Sequence, residues 1–277
     1  MRRRGATMLP SYSTSLLGRD ELLSSLDRSM AEGARVITLV GTAGVGKTRL
    51  AVTAASRRPA HVFCDLRGAR RRDHLIDALL RALRPAVDLS RMRGDAARRV
   101  GGWLRARGPL CVVLDNFEQL DDASAEVVGV WRDEAPNATF LVTSRHPLRL
   151  GGQRLVHITP LDAGEDGAAA ALFFDRAALA RGAPLARDAR TLDAVNALVR
   201  SLDGVALAIE LAAARLEVMS LDELRDRINA RFALLRVPDA RGGVEHHDAL
   251  WDALSWSWQL LSAPERDALA CASAFAD

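Results

Sequence analysis

The chain has 277 residues, enough for one large or two medium domains with cores of their own, and 49% apolar with 26% charged residues excludes wholesale disorder. Its 38 cationic side chains are offset by 35 acidic ones, so a net charge of +3 does not by itself argue for a nucleic-acid partner. No run of 18 apolar residues occurs and the start MRRRGATMLPSYSTS lacks the apolar core of a signal peptide, so no membrane partner is expected and the cytoplasm is the expected compartment.

In chain order, five short apolar runs read as strands: RVITLVG (35–41), HVFCDL (61–66), CVVLDN (111–116), TFLVTSR (139–145) and RLVHITP (154–160). They are continuous rather than alternating, as strands buried on both faces of a parallel sheet are. Helical patterns at 47–58, 73–84, 95–107 and 122–133 separate the first four. This alternation implies an α/β fold, a parallel sheet flanked by helices with right-handed crossovers. Only HPLRLGGQ separates the fourth run from the fifth, which is short for a crossover. Cys64 and Cys111 fall in these strands and read, with the distant Cys271, as unpaired thiols of a reducing compartment.

After Pro160 the pattern becomes helical to about residue 236, through GAAAALFFDRAALA, ARTLDAVNALVRSL, GVALAIELAAARL and SLDELRDRINARFALLR. Ser220 and Glu223 open the last of these as a capping box. A Pro/Gly linker covers 237–246. The residues beyond it are too few for an independent core, so the chain is expected to stop partway through a domain. The arginine clusters RRR, RGARRRD and RMRGDAARR read as solvated faces, because no aromatic residues interleave to stack bases.

Of the 38 cationic residues only Lys47 is a lysine, and it lies in GTAGVGKT, residues 41–48, a complete G-x-x-x-x-G-K-[ST] motif between a β-branched run and a helix. Gly41, Gly44 and Gly46 let the backbone turn so that bare peptide N–H groups face an anion. The N-terminus of the following helix reinforces that site. Lys47 is expected at the β- and γ-phosphates, where a compact ammonium fits better than a broad guanidinium, and Thr48 is expected to lend its hydroxyl to Mg2+. The run CVVLDN delivers Asp115 at the C-terminal end of a strand, where it is the second expected metal residue. Asn116 stands where many proteins with this phosphate-loop motif have a second acid, and an amide cannot take a proton from water. Glu118 is the nearest spare carboxylate for orienting water, with stabilisation of the next helix N-terminus as its other reading. Arg145, at the end of the fourth strand, would face the same edge and sense a γ-phosphate by charge.

These pieces in this order resemble the STAND class of P-loop ATPases, and more closely the NB-ARC-like modules of bacterial multidomain regulators. The resemblance runs from LLGRDELLSSL at residue 16 through GTAGVGKTRLA, VVLDNFEQL, LVTSRHPLRL and LDGVALAIELAAARL to HHDALWDALSWSWQLLSAPER. It implies an N-terminal tail (1–15), a P-loop nucleotide-binding domain (16–162), a helical domain (163–236), the linker, and the start of a winged-helix domain (247–277). It also implies that Leu17, Gly18 and Arg19 line the adenine and ribose side, and that Ala43 to Arg49, with Val45 among them, surround the phosphates. Gly204 would start the helix facing the adenine, and Ala206 replaces the proline expected there. The resemblance implies ATP/ADP and Mg2+ as ligands, slow ATP hydrolysis, self-association in the ATP state, and sensor and effector domains outside this segment. Nucleic-acid contact is then expected only through such further domains. Two other readings are a small-molecule phosphotransferase and a DNA-binding regulator with a structural nucleotide. The face WDALSWSWQLL is apolar rather than basic, which favours internal packing over groove reading.

Overall fold

The computed structural model describes residues 9–83, 95–235 and 263–273. Five strands form one parallel sheet: β1 (Val36–Val40), β2 (His61–Asp65), β3 (Leu110–Asp115), β4 (Ala138–Ser144) and β5 (Arg154–His157), in the order β2-β3-β4-β1-β5. All four neighbouring pairs are parallel. Around the sheet run α1 (Asp20–Ala31), α2 (Lys47–Ser56), α3 (Arg72–Leu83), α4 (Ala96–Ala106) and α5 (Asp122–Glu134). The continuous apolar runs are explained by burial: every residue of β1 and β3 is buried. Trp131 of α5 stacks on Phe140 of β4 with ring centroids 6.2 Å apart, both fully buried.

The expected link between the fourth and fifth strands carries no helix. Residues 145–153 nevertheless take the chain from one side of β1 to the other, because both β4 and β5 pair with β1 in parallel. A crossover usually needs a dozen residues or more. Here a short strand serves: β5 has four residues, three of them exposed, so it demands little covering structure.

From residue 168 the described chain is helical: α6 (Ala168–Arg181), α7 (Ala189–Ser201), α8 (Ala206–Ala214), α9 (Leu221–Leu235) and α10 (Ala263–Ser273). The capping box at α9 forms as expected, with the Ser220 amide donating to Glu223 Oε2 over 2.9 Å and the Glu223 amide donating back to Ser220 Oγ. Asp188 caps α7 by accepting from the Thr191 amide at 2.8 Å. The linker and all of the winged-helix expectation except α10 lie outside the described residues.

The chain divides into two compact units. One runs up to Gly41 and resumes from Lys47 to Ile158; the other takes Thr42–Gly46 together with the chain from Thr159 onward. The five central residues of the expected phosphate loop thus pack with the helical unit, which composition and periodicity do not reveal.

Candidate functional site

The parallel sheet gathers its strand ends along one edge, and the strand order decides which residues can meet there. With β4 inserted between β1 and β3, the helix that follows β1 reaches the end of β3 across β4. Thr48 Oγ1 donates to Asp115 Oδ1 at 2.7 Å, and Thr143 Oγ1 of β4 donates to the same oxygen at 2.6 Å. The register that pairs Leu114 with Val142 brings Asp115 and Thr143 side by side. Asn116 Nδ2 donates to Asp115 Oδ2 at 3.1 Å, and the Asn116 amide donates to Thr143 Oγ1 at 3.0 Å. Asn116 holds a left-handed backbone, φ 64°, which asparagine tolerates better than most residues. Asp115 is 4% exposed, and burial pushes its carboxyl above the usual range against the pull of the Thr143 and Thr48 hydroxyls.

Lys47 and Glu118 join this edge. Lys47 Nζ donates to the Gly41 carbonyl at 2.8 Å. Burial draws the ammonium below its ordinary pKa, while Glu118 and Asp115 counter that effect and Arg145 adds to it. Two carboxylates and one guanidinium therefore act on the Lys47 ammonium. Glu118 sits in a single 3-10 turn, Phe117–Gln119, directly after β3. Its Oε1 lies 3.3 Å from Arg145 Nε, whereas Oε2 is buried with no hydrogen-bond partner among the described residues. Arg145 thus engages the carboxylate expected to handle water.

The loop 41–48 has the backbone its glycines allow: Gly44 and Gly46 have φ 74° and 102°, conformations costly for any side chain. Within the helical unit, the Gly44 carbonyl accepts from the Leu207 amide in the first turn of α8 at 3.0 Å. Gly204 has φ 66°, and a Cβ there would fall 2.2 Å from the Leu161 carbonyl oxygen, so its glycine is required by backbone proximity. Ala206 is the first residue of α8, the position at which a proline is tolerated.

The remaining expected residues are placed as follows. Gly18 turns the chain with φ 66° into α1, Arg19 stands at the N-cap of α1 only 6% exposed, and Leu17 is half-buried. Burial pulls the Arg19 guanidinium below its ordinary pKa. Ala43 and Val45 lie in the loop segment of the helical unit. Arg49 binds the N-terminal segment, with its Nη2 donating to Thr14 Oγ1 at 2.6 Å and to the Ser15 carbonyl at 2.9 Å. Cys64 and Cys111 are buried and their thiols pushed up to about 12 by desolvation, so they are inert; Cys271 is exposed.

Thr143 is the residue the motifs missed. Its signal is positional: in a strand otherwise apolar at its centre, a hydroxyl stands beside the expected metal carboxylate once β3 and β4 are paired.

Residues 29–146 match the family described as "AAA domain". Over 271 residues the chain is 36% identical to an uncharacterized protein of Mycobacterium tuberculosis, covering 96% of this chain and 66% of that protein. Over 243 residues it is 35% identical to a "Putative HTH-type transcriptional regulator" of the same organism, covering 86% of this chain and 26% of the regulator. Among solved structures it resembles a Walker-type ATPase of Pyrococcus abyssi, with TM-score 0.56, 17% identity, and 92% and 88% of the two chains covered. It also resembles a STAND protein with a tetratricopeptide repeat sensor from Pyrococcus horikoshii, with TM-score 0.53, 18% identity, and 80% and 33% covered. Residues 29–146 are thus similar to the AAA domain family, and the chain has the fold seen in P-loop ATPase structures. The two structural likenesses speak for the fold alone. The chain spans just under two thirds of the length of the uncharacterized mycobacterial relative. Among the described residues no helix is long and apolar enough to cross a membrane.

The residues at the sheet edge fit a nucleotide with a divalent cation. Asp115 is a buried carboxylate with a hydroxyl beside it, an all-oxygen donor pair of the kind that suits Mg2+ when waters and phosphate supply the rest. The glycine backbone of the loop and the Lys47 ammonium suit the phosphates.

Proposed function

We propose that this chain is an ATP/ADP-binding switch that hydrolyses ATP slowly and couples the nucleotide it holds to the arrangement of its two units. The observation that carries this reading is the meeting of Lys47, Thr48, Asp115, Glu118 and Arg145 at one sheet edge. Mg2+, held by the Thr48 hydroxyl and the Asp115 carboxylate, would neutralise phosphate charge in the bound nucleotide. Lys47 exchanges its Gly41 carbonyl for a phosphate oxygen, a stronger charge-assisted bond. Arg145 turns from Glu118 to the γ-phosphate when ATP is bound. That frees the Glu118 carboxylate to accept a proton from the attacking water. With ADP the pair closes again. Because Asn116 cannot act as a second acid, turnover rests on Glu118 alone and is slow.

Coupling follows from the loop. The Gly44 carbonyl anchors the first turn of α8, so a loop that tightens around phosphates changes what that turn binds. The nucleotide can bias the arrangement only by contacting its alternatives differently, and Arg145, which distinguishes ATP from ADP by one charged group, supplies the difference. Self-association in the ATP state and sensor or effector functions in further sequence complete the reading, together with location in the cytoplasm. The NB-ARC-like assignment within the STAND class, with a winged-helix domain beginning near residue 247, belongs to the same proposal. The likeness to a named transcriptional regulator favours gene regulation as the output.

The test compares Glu118→Gln and Arg145→Ala with the parent. Glu118→Gln should lower phosphate release at least tenfold and leave nucleotide binding within twofold; unchanged turnover returns Glu118 to a structural role. Arg145→Ala should weaken ATP about tenfold and ADP less than twofold, and equal losses remove its sensing role. Phosphate transfer to small acceptors, or salt-sensitive duplex binding by this segment alone, would overturn the reading in favour of a phosphotransferase or a DNA-binding module.

A further inference from the structure

Residues 9–18 run ahead of α1 without a single buried side chain; the first buried residue among those described is Arg19. A segment with so little apolar anchoring has to be held by polar contacts or remain mobile. One side chain supplies several of them. Arg49, in the first turn of α2 and two residues beyond Lys47, donates through Nη2 to the carbonyl of Thr14, to Thr14 Oγ1 and to the Ser15 carbonyl. Its guanidinium also lies over the ring of Tyr12, with Cζ 4.9 Å from the centroid, and that ring is 43% exposed. Tyr12, Thr14 and Ser15 are thereby fixed to the turn of helix that presents Lys47 and Thr48.

We propose that Arg49 is a positioning residue: it clamps the N-terminal strap, residues 12–15, beside the phosphate loop and so sets how firmly the nucleoside end of a bound nucleotide is retained. The proposal rests on the nucleotide reading above. A nucleotide seated by its phosphates in residues 41–48 has to lay sugar and base against whatever flanks the first turn of α2. The strap is what the structure puts there. It is held at two points, by Arg49 at Thr14 and Ser15 and, further along, by the buried Arg19 at the start of α1, with the positive-φ turn of Gly18 between. A two-point tether of this kind lowers the ordering cost of binding, since the wall is in place before the ligand arrives. Arginine suits the task because several acceptors and a ring face are engaged by one planar group; a lysine ammonium cannot cover the ring and the two peptide carbonyls at once.

This account separates the two halves of the ligand. Phosphates are held by the loop, and the nucleoside by a wall that depends on Arg49. The experiment measures affinity for Mg-ADP and for Mg-tripolyphosphate, which has no nucleoside, in the parent, Arg49→Ala, Arg49→Lys and Tyr12→Ala. Arg49→Ala should weaken ADP about tenfold, and Arg49→Lys nearly as much, with tripolyphosphate unchanged within twofold. Tyr12→Ala, at an exposed ring whose loss leaves the core intact, should weaken ADP two- to threefold and tripolyphosphate not at all. Equal losses for both ligands would overturn the clamp, since Arg49 would then act on the phosphate loop itself. Unchanged ADP affinity in all three variants would overturn it as well. A parent that binds tripolyphosphate and ADP equally overturns the nucleoside wall while leaving the phosphate loop standing, and a parent that binds neither overturns the nucleotide reading and the clamp with it.

Discussion

Asp115 and Arg176 are both charged and both nearly buried, at 4% and 9% exposure, yet their surroundings treat the charge in opposite ways. Arg176 on α6 is neutralised where it lies: its Nε donates to Glu210 Oε1 at 2.9 Å and its Nη1 pairs with Asp175. Asp115 is surrounded by the neutral donors Thr48, Thr143 and Asn116, and among the described residues no ion pair reaches it. Burying a charge is costly unless it is paired, and hydrogen bonds from neutral groups only partly compensate. The helical unit therefore uses its buried charge to fix one helix against another and is complete as it stands. The sheet edge keeps a carboxylate in place that a cation would complete. On the proposed reading, that contrast separates a structural charge from one held ready for a ligand.

Breaking each side of the comparison should give different signatures. Asp115→Ala should lower Mg-dependent ATP affinity at least a hundredfold, about 2.8 kcal/mol, while leaving the unfolding midpoint in urea unchanged or raised, because an unpaired buried charge is removed. Calorimetric titration with and without Mg2+, beside a urea melt, checks both halves. Arg176→Ala should do the reverse. It removes the Arg176 partner of Glu210 and costs about 2 kcal/mol of stability in the urea melt, a value set below that of a fully buried pair because Glu210 and Asp175 are 32% and 39% exposed. Tripolyphosphate affinity of the folded Arg176→Ala protein should stay within twofold of the parent. The smallest effect sharpens the contrast further: Asn116→Asp replaces a donor to Asp115 with a second carboxylate. It should cost about 1 kcal/mol without Mg2+ and recover that loss when Mg2+ is added. A loss that Mg2+ does not reverse would mean that Asn116 matters for its left-handed backbone and its bond to Thr143 rather than for the charge at this edge.

Much of this was legible in the sequence because it was written in local patterns. The continuous apolar runs of β1 and β3, the positive-φ glycines of 41–48 and the aspartate that ends β3 each show their place in the fold within a few residues. The Ser220–Glu223 box is equally local. What escaped was set by pairing at a distance. Thr143 becomes a partner of Asp115 only through the β3–β4 register, and no spacing in the chain predicts that register. Arg49 is read from sequence as part of the phosphate surroundings, whereas its hydrogen-bond partners Thr14 and Ser15 lie 35 and 34 residues earlier. The fifth strand is read from its apolar run, but the helix-free crossover leading to it is not, because the link is shorter than a parallel connection usually needs. The packing of residues 42–46 with the helical unit likewise depends on a backbone bond between Gly44 and Leu207, which leaves no trace in side-chain type.

The central claim is that the loop 41–48 and its single lysine hold the phosphates of a nucleotide. Equilibrium titration of the nucleotide-free protein with Mg-ATP, parent beside Lys47→Ala, tests it most directly. The account predicts saturable binding by the parent and a loss of at least a hundredfold in a variant that melts cooperatively at the parent's midpoint. Equal affinity in parent and variant would contradict it.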